Sequence, residues 1–126
     1  LLNRTSAAKA AVSIAREHGL DIAVVCSAAY GGSTFVLEDA LGAGAIVDAA
    51  LRLPDPPRAL DAARFARDAF VAAGDTGAAL RSAYHAADLV QMGLGEDVAY
   101  CARLDVSNVA PIVERGEDGV LVISGA

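Results

Sequence analysis

The chain has 126 residues, a length that suits one domain with a single core. Its formal net charge of −6 argues against unaided binding to nucleic acid or to an anionic membrane, because both ligands favour a basic protein surface. No apolar segment approaches the ~20 residues that a membrane-spanning helix needs. We therefore expect neither nucleic acid nor membrane among the partners.

The first predicted elements are a helix over residues 7–18 and a strand over residues 22–26. Side chains able to cap the helix precede it, namely Asn3, Thr5 and Ser6. Gly19 is suited to end the helix in the left-handed conformation. The apolar run over residues 22–26 is unbroken, which is typical of a strand covered on both faces. A helix, a strand and a second helix in this order indicate a parallel sheet, because parallel strands are joined by crossovers.

The remaining pattern predicts helices over residues 35–53, 58–73, 76–90 and 96–103, then strand segments over residues 110–113 and 120–123. Gly42 and Gly44 lie inside the first of these helices, where each glycine costs about 1 kcal/mol. Their presence indicates tight packing against a sheet or a partner chain. We predict a single α/β domain over residues 1–126 with three layers. Its mainly parallel sheet is flanked by helices and the domain ends in a β-hairpin or two strand segments.

The turn between the first strand and the second helix is the predicted site. Ligands of open α/β sheets collect outside the carboxyl ends of the strands. Free N–H groups at a helix start attract an anion, and nearby hydroxyls add donors without adding charge. The predicted substrate-binding residues are Cys26, Gly31, Gly32, Ser33 and Thr34. Ser33 or Thr34 is also the expected N-cap of the helix beginning near Phe35.

Glu38 and Asp39, in the first turn of that helix, allow two interpretations. Carboxylates beside a bound anion would repel it unless a divalent cation lies between them, and Mg²⁺ binds one or two carboxylates together with phosphate oxygens and water. On this interpretation Glu38 and Asp39 are catalytic and metal-binding residues. The alternative is that they only complement the helix dipole, which is worth about 0.3–1 kcal/mol for each.

The cysteines and histidines supply weaker signals. Cys26 and Cys101 lie in different predicted elements, which favours reduced thiols and a cytoplasmic protein over a disulfide. Cys26 suits either the core or the wall of a pocket, and the core is the preferred interpretation. A C-x5-R phosphatase loop is excluded, because Gly32 stands where the arginine would be needed. His18 and His85 are on different predicted helices and are interpreted as surface or helix-end residues rather than metal ligands.

Three segments resemble the 2-phosphosulfolactate phosphatase family: LLNRTSAAKAAV, VVCSAAYGGSTFVLEDALGAGAIVDAAL and LGEDVAYCARLDVSNVAPIV. The similarity runs in the same order over most of the chain and is most specific in the block FVLED–AGAIV. It departs from the family at residues 27–30, and the first-half motifs of the family are not found in this sequence. The resemblance thus implies that the chain is the carboxy-terminal half of a longer protein.

The resemblance implies a Mg²⁺-dependent acid phosphatase with an α/β fold, acting on 2-phospho-3-sulfolactate in coenzyme M biosynthesis. By position, Glu38 and Asp39 would belong to its metal and phosphate site. The expected partners are a small anionic phosphorylated substrate and either an amino-terminal half or a second copy of the chain. The alternative hypothesis is a non-catalytic binding or assembly module derived from the same fold. A weaker one is an enzyme for other anionic metabolites, since a fold does not determine the substrate.

Overall fold

A computed structural model describes residues 1–29, 32, 34–116 and 118–125. Over these residues the chain forms six helices and one two-stranded antiparallel sheet. In chain order the elements are α1 (Arg4–His18), α2 (Leu37–Leu51), α3 (Asp61–Ala73), α4 (Thr76–Arg81), α5 (Tyr84–Gln91), α6 (Gly95–Cys101), β1 (Pro111–Arg115) and β2 (Leu121–Gly125). No helix in these ranges is both long enough and apolar enough to cross a membrane.

The predicted three-layer fold with a parallel sheet is wrong. The apolar run over residues 22–26 is irregular rather than strand, and its side chains are exposed, with Val25 at 89%. A strand exists only when a neighbouring strand accepts its hydrogen bonds. In the described part of the chain β1 and β2 pair with each other, so the run has no sheet to join. An unbroken apolar run indicates a preference for burial, but it does not provide the neighbouring strand with which it would pair.

The amino-terminal helix α1 begins at Arg4, three residues earlier than predicted. Asn3 is the N-cap residue, but its amide donates a hydrogen bond to the Val109 carbonyl at 2.9 Å and so joins the helix start to the segment before β1. The predicted stop at Gly19 is confirmed, with φ at +63°. Ala8 and Val12 are the buried residues of α1, and α1 packs against α2.

The small residues of α2 allow very close packing against α3. A Cβ placed on Gly44 would lie 2.1 Å from the Ala66 carbonyl oxygen and 2.8 Å from the Phe70 Cβ. The tight packing predicted from the glycines is therefore confirmed at Gly44. The neighbouring element there is α3 rather than a sheet or a partner chain. A hydrogen atom is the only substituent that fits at this position.

The core lies where α2 meets α3, α4, α5 and α6. It is built from small and aliphatic side chains with one phenylalanine: Leu41, Ala45, Phe70, Leu80, Ala83, Ala86 and Val98. The single helix predicted over residues 76–90 is wrong, because Ala83 is extended (φ −65°, ψ 142°) and divides it into α4 and α5. Asp75 caps α4 by accepting a hydrogen bond from the Ala78 N–H. The break at Ala83 turns the first residues of α5 towards the start of α2.

A buried carboxylate, Asp48, joins three helices. Arg52 Nε lies 2.7 Å from it, Arg67 Nε 3.3 Å and Arg4 Nη1 3.9 Å, so α1, α2 and α3 all contribute. Burial alone would raise the pKa of Asp48, but the hydrogen bonds and charges of Arg52 and Arg67 outweigh burial and lower the pKa. Arg4 also binds Asp105 at 3.0 Å, which extends the network to the loop after α6.

The carboxy-terminal hairpin is confirmed. The antiparallel strands β1 and β2 pair Pro111 with Gly125 and Val113 with Ile123. Gly119, in the turn, has φ of +79°, a conformation that favours glycine. The apolar side chains of the hairpin are largely exposed, with Ile123 at 71%. The hairpin is thus a local structure rather than part of the core.

Candidate functional site

The start of α2 differs from the predicted start by two residues. Its N-cap is Val36, with extended backbone (φ −125°, ψ 140°), and Leu37 is the first helical residue. The prediction that Ser33 or Thr34 caps the helix is therefore wrong. The acidic first turn is confirmed, since Glu38 and Asp39 both lie within it. Carboxylates at this position interact favourably with the helix dipole.

Asp39 fastens the preceding turn to α2. Its Oδ2 accepts a hydrogen bond from the Ala28 N–H at 2.6 Å. Ala28 has φ of +57°, a left-handed conformation that costs energy for a residue with a side chain, so the contact to Asp39 holds a strained turn. The Asp39 carbonyl also lies 3.6 Å from the Cys26 sulfur. Asp39 thus has a structural role at residues 26–28.

Cys26 is exposed, so the preferred prediction that it is a core residue is wrong. Desolvation and the negative charge of Asp39 raise the pKa of the Cys26 thiol. The thiol is therefore kept neutral, which disfavours a nucleophilic role, because the thiolate is the reactive form. Cys26 and Cys101 are both free thiols, in agreement with the prediction of reduced cysteines.

Glu38 points to a different neighbour from Asp39. Its Oε1 lies 2.8 Å from Nδ1 of His85, at the start of α5. The other carboxylate oxygen, Oε2, is enclosed by protein and accepts no hydrogen bond from the residues that the structure describes. An enclosed acceptor without a donor is costly, so this atom is the least satisfied polar group at the helix start.

Two cavities meet at Glu38. The larger, of about 330 Å³, is bordered by the start of α2 and the start of α5, with polar side chains from Thr34, Ser82, Tyr84 and His85. The smaller, of about 180 Å³, is mostly apolar and also includes Asp97 and Cys101 in its wall. Glu38 therefore lies between two cavities whose walls are mainly apolar, and more polar side chains surround the larger one.

The predicted substrate-binding residues are only partly brought together. Thr34 lines the larger cavity with Glu38, whereas Cys26 and Asp39 do not line it. Gly32 lies in the turn closed by the bridge between Ala29 and Thr34, with φ of +85° and its N–H bonded to the Ala29 carbonyl. Gly31 and Ser33 are outside the described residues. The assignment of these five residues to a substrate site stays a prediction.

The donor set at the helix start fits Mg²⁺ only in part. Across residues 1–29, 32, 34–116 and 118–125, no three His, Cys, Asp or Glu side chains are arranged to hold a metal ion. Mg²⁺ is commonly held by one or two carboxylates, with water and substrate oxygens completing the shell. Glu38 is the carboxylate among the described residues that lines the larger cavity, but its unpaired Oε2 is enclosed by protein. Asp39 has already committed Oδ2 to Ala28.

His85 is the residue at this site that the sequence analysis missed. It is 47 positions from Glu38 and lies in a different helix, so no spacing rule connects the two. The break between α4 and α5 would have been the signal for this contact, but no local feature of the alanine-rich segment predicts the break. The interpretation of His85 as a surface or helix-end residue holds for its position at the start of α5, but omits its contact with Glu38.

Comparison with known proteins supplies the family. Residues 1–116 match the family described as 2-phosphosulpholactate phosphatase. A curated relative from Deinococcus radiodurans, named "Probable 2-phosphosulfolactate phosphatase", is 37% identical over 118 residues. The match covers 94% of this chain but 47% of the relative, so the chain spans about half the length of that protein. The chain belongs to the 2-phosphosulfolactate phosphatase family.

Proposed function

We propose that this chain contributes the phosphate site of a Mg²⁺-dependent phosphatase that hydrolyses a small phosphorylated acid such as 2-phospho-3-sulfolactate. Family membership and the name of the curated relative support the reaction class. The observation that carries the proposal for the site is Glu38, which lines a cavity of about 330 Å³ and whose Oε2 has no hydrogen-bond partner among the described residues. A place in coenzyme M biosynthesis remains a prediction of the resemblance.

Two features beside Glu38 support a phosphoryl group bound through a cation. Mg²⁺ held by the Glu38 carboxylate would polarise the phosphoryl group and offset the negative charge of the substrate. The first-turn N–H groups of the 15-residue helix α2 and the Thr34 hydroxyl supply hydrogen-bond donors without positive charge. Asp39 contributes indirectly in this arrangement, because it holds the turn that precedes the cavity wall.

The two carboxylates can be separated by substitution in the full-length protein. Glu38→Gln removes the negative charge but retains the shape, so we expect Mg²⁺-dependent phosphate release to fall by two or more orders of magnitude. Asp39→Asn should mainly lower thermal stability, since it weakens the bond to Ala28. Glu96→Gln is the matched control, because Glu96 is an exposed first-turn carboxylate of α6. Unchanged turnover in Glu38→Gln would reject the proposed site.

A second candidate is a non-catalytic binding or assembly module. The observation that favours it is the exposure of Leu20 and of the apolar run over residues 22–25, with Val25 at 89% and Leu20 at 61%. Exposed apolar surface of this kind is typical of interaction sites. The expected partner is an amino-terminal half or a second copy of the chain. Gly44 is not available to such an interface, because it already packs against α3.

A further inference from the structure

We propose that the remaining half of the full-length protein packs on one face of the β1–β2 hairpin, the apolar hairpin face, which consists of Val113, Leu121 and Ile123. The inference goes beyond the proposed function, because it concerns what covers this chain and holds whether or not Glu38 belongs to a phosphate site. It concerns a different surface from the exposed run over residues 22–25, and it commits to one partner.

The pairing register divides the hairpin side chains between two faces. Val113 lies opposite Ile123, and Leu121 is on the same side of β2 as Ile123 because residues two apart in a strand share a face. The three side chains are between 58% and 71% exposed. Arg115 shares this face, but its Nη1 donates a hydrogen bond to the Gly119 carbonyl in the turn at 2.8 Å. The opposite face alternates apolar and polar residues, namely Ile112, Glu114, Val122 and Ser124.

The apolar hairpin face is not covered within the described part of the chain. There, β1 and β2 pack on each other, and no helix packs extensively against either strand. A two-stranded hairpin on its own is at best marginally stable in water, and it needs further strands or a packed layer for independent stability. Contact of three neighbouring aliphatic side chains with water is also unfavourable. A partner that covers this face would therefore stabilise the hairpin.

Both ends of the described chain lie near the open end of the hairpin, opposite its turn. The Leu1 carbonyl accepts a hydrogen bond from the Asp105 N–H at 3.2 Å. The Asn3 amide donates a hydrogen bond to the Val109 carbonyl, two residues before β1. Gly125, the last residue of β2, pairs with the first residue of β1. A polypeptide joined to either end of this chain would therefore enter beside the hairpin.

The curated relative indicates which partner to expect. The match covers 94% of this chain but 47% of the relative, so a protein of that length has a further half. That half is covalently joined, and a short flexible connection gives an effective concentration on the order of millimolar. Three aliphatic side chains expose much less than the roughly 800 Å² that each partner of a stable complex of free chains buries. A second copy is disfavoured further, because it would bring together two chains of net charge −6.

The test measures thiol labelling of the full-length protein with the substitution Ile123→Cys, and Ser124→Cys on the opposite face is the matched control. The thiol at position 123 should react with iodoacetamide about tenfold or more slowly than the thiol at position 124, because a covered group reacts only after local opening. Cys26 and Cys101 are free thiols as well, so peptide mass spectrometry assigns each labelled site. Val113→Cys, on the apolar hairpin face, replaces Ile123→Cys if that variant fails to fold, and the same slow reaction is expected.

Photo-crosslinking distinguishes the remaining half from a second copy. Benzoylphenylalanine in place of Ile123 in the full-length protein should crosslink within one chain, to a peptide outside residues 1–126, at low and high protein concentration alike. A product with the mass of two chains would overturn the proposal, as would equal labelling rates at positions 123 and 124. Both measurements are made without Mg²⁺ or substrate. The turnover of Glu38→Gln therefore tests the proposed phosphate site independently of this inference.

Discussion

Glu38 and Asp39 show how adjacent residues of one helix turn acquire different tasks. Successive side chains on an α-helix are rotated by about 100°, so two neighbours face different parts of the molecule. Asp39 faces the turn at Ala28, and Glu38 faces His85 on α5. A pair of carboxylates in sequence is therefore not a pair in space. At the residue scale, one of them stabilises the local structure and the other is the candidate ligand.

Asp48 is the charged residue outside the candidate site whose substitution we expect to lower stability most. We expect Asp48→Asn to lower the free energy of unfolding by about 2–3 kcal/mol at pH 7, because it removes hydrogen bonds between a buried carboxylate and two arginines. Asp68→Asn is the control, since Asp68 binds the same Arg67 at 3.0 Å but is exposed. It should change stability by less than about 0.5 kcal/mol. Urea unfolding of the two variants measures both effects.

The pH dependence of this difference follows from the sign of the pKa shift. Because the pKa of Asp48 is lowered in the folded protein, its contribution is present above the ordinary aspartate pKa of about 3.9 and is lost as the pH falls below it. The gap between wild type and Asp48→Asn should therefore shrink below about pH 4. A gap that stays constant from pH 7 to pH 3 would contradict the charged network around Asp48.

At the scale of elements, the contact between α2 and α3 determines how the helices are arranged. It depends on the absence of a side chain at Gly44, where the Ala66 carbonyl lies against the Cα. Large side chains at this contact would force the helix axes apart. Phe70 then fills the adjacent core, and Arg4 lies over its ring at 5.3 Å from the centroid. The small residues of α2 thus serve packing within the chain.

Gly44→Ala should destabilise the protein by about 2 kcal/mol or more, because the added methyl group would meet backbone atoms of α3 that cannot rotate away. Gly42→Ala is the matched control two residues earlier in the same helix. Among the described residues, no atom lies within 4 Å of a Cβ built on Gly42, so helix propensity should make this variant neutral or up to about 1 kcal/mol more stable. Thermal unfolding distinguishes them, and equal melting temperatures would contradict the close contact at Gly44.

At the scale of the whole molecule, apolar side chains outside the core are the main unexplained feature. Val25 and Phe35 are 89% and 76% exposed, and Ile123 in β2 is 71% exposed. Phe35 lines the larger cavity and Ile123 belongs to the hairpin, and none of the three side chains is part of the core. Water contact with such residues is unfavourable, so association that covers them would be stabilising.

Size-exclusion chromatography combined with Mg²⁺ titration calorimetry distinguishes the two candidate functions. A phosphatase site should give a heat of Mg²⁺ binding that Glu38→Gln abolishes, whereas an assembly module should associate without any such heat. Val25→Asp should reduce association about tenfold, because it places a charge on the exposed apolar run. Ser13→Asp, at an exposed position of α1, is the control. A monomer at all concentrations that binds Mg²⁺ would exclude the module.

The sequence by itself determined features that depend on neighbouring residues. The left-handed stop at Gly19, the acidic first turn of α2 and the hairpin ending at Gly125 all follow from local backbone preferences and short-range hydrogen bonds. Tertiary structure alone decided whether the apolar run over residues 22–26 becomes a strand, and that His85 meets Glu38. Both outcomes depend on groups distant in the chain: a strand needs a partner ladder, and a side-chain pair needs two helices packed at a particular angle. No local pattern carries that information.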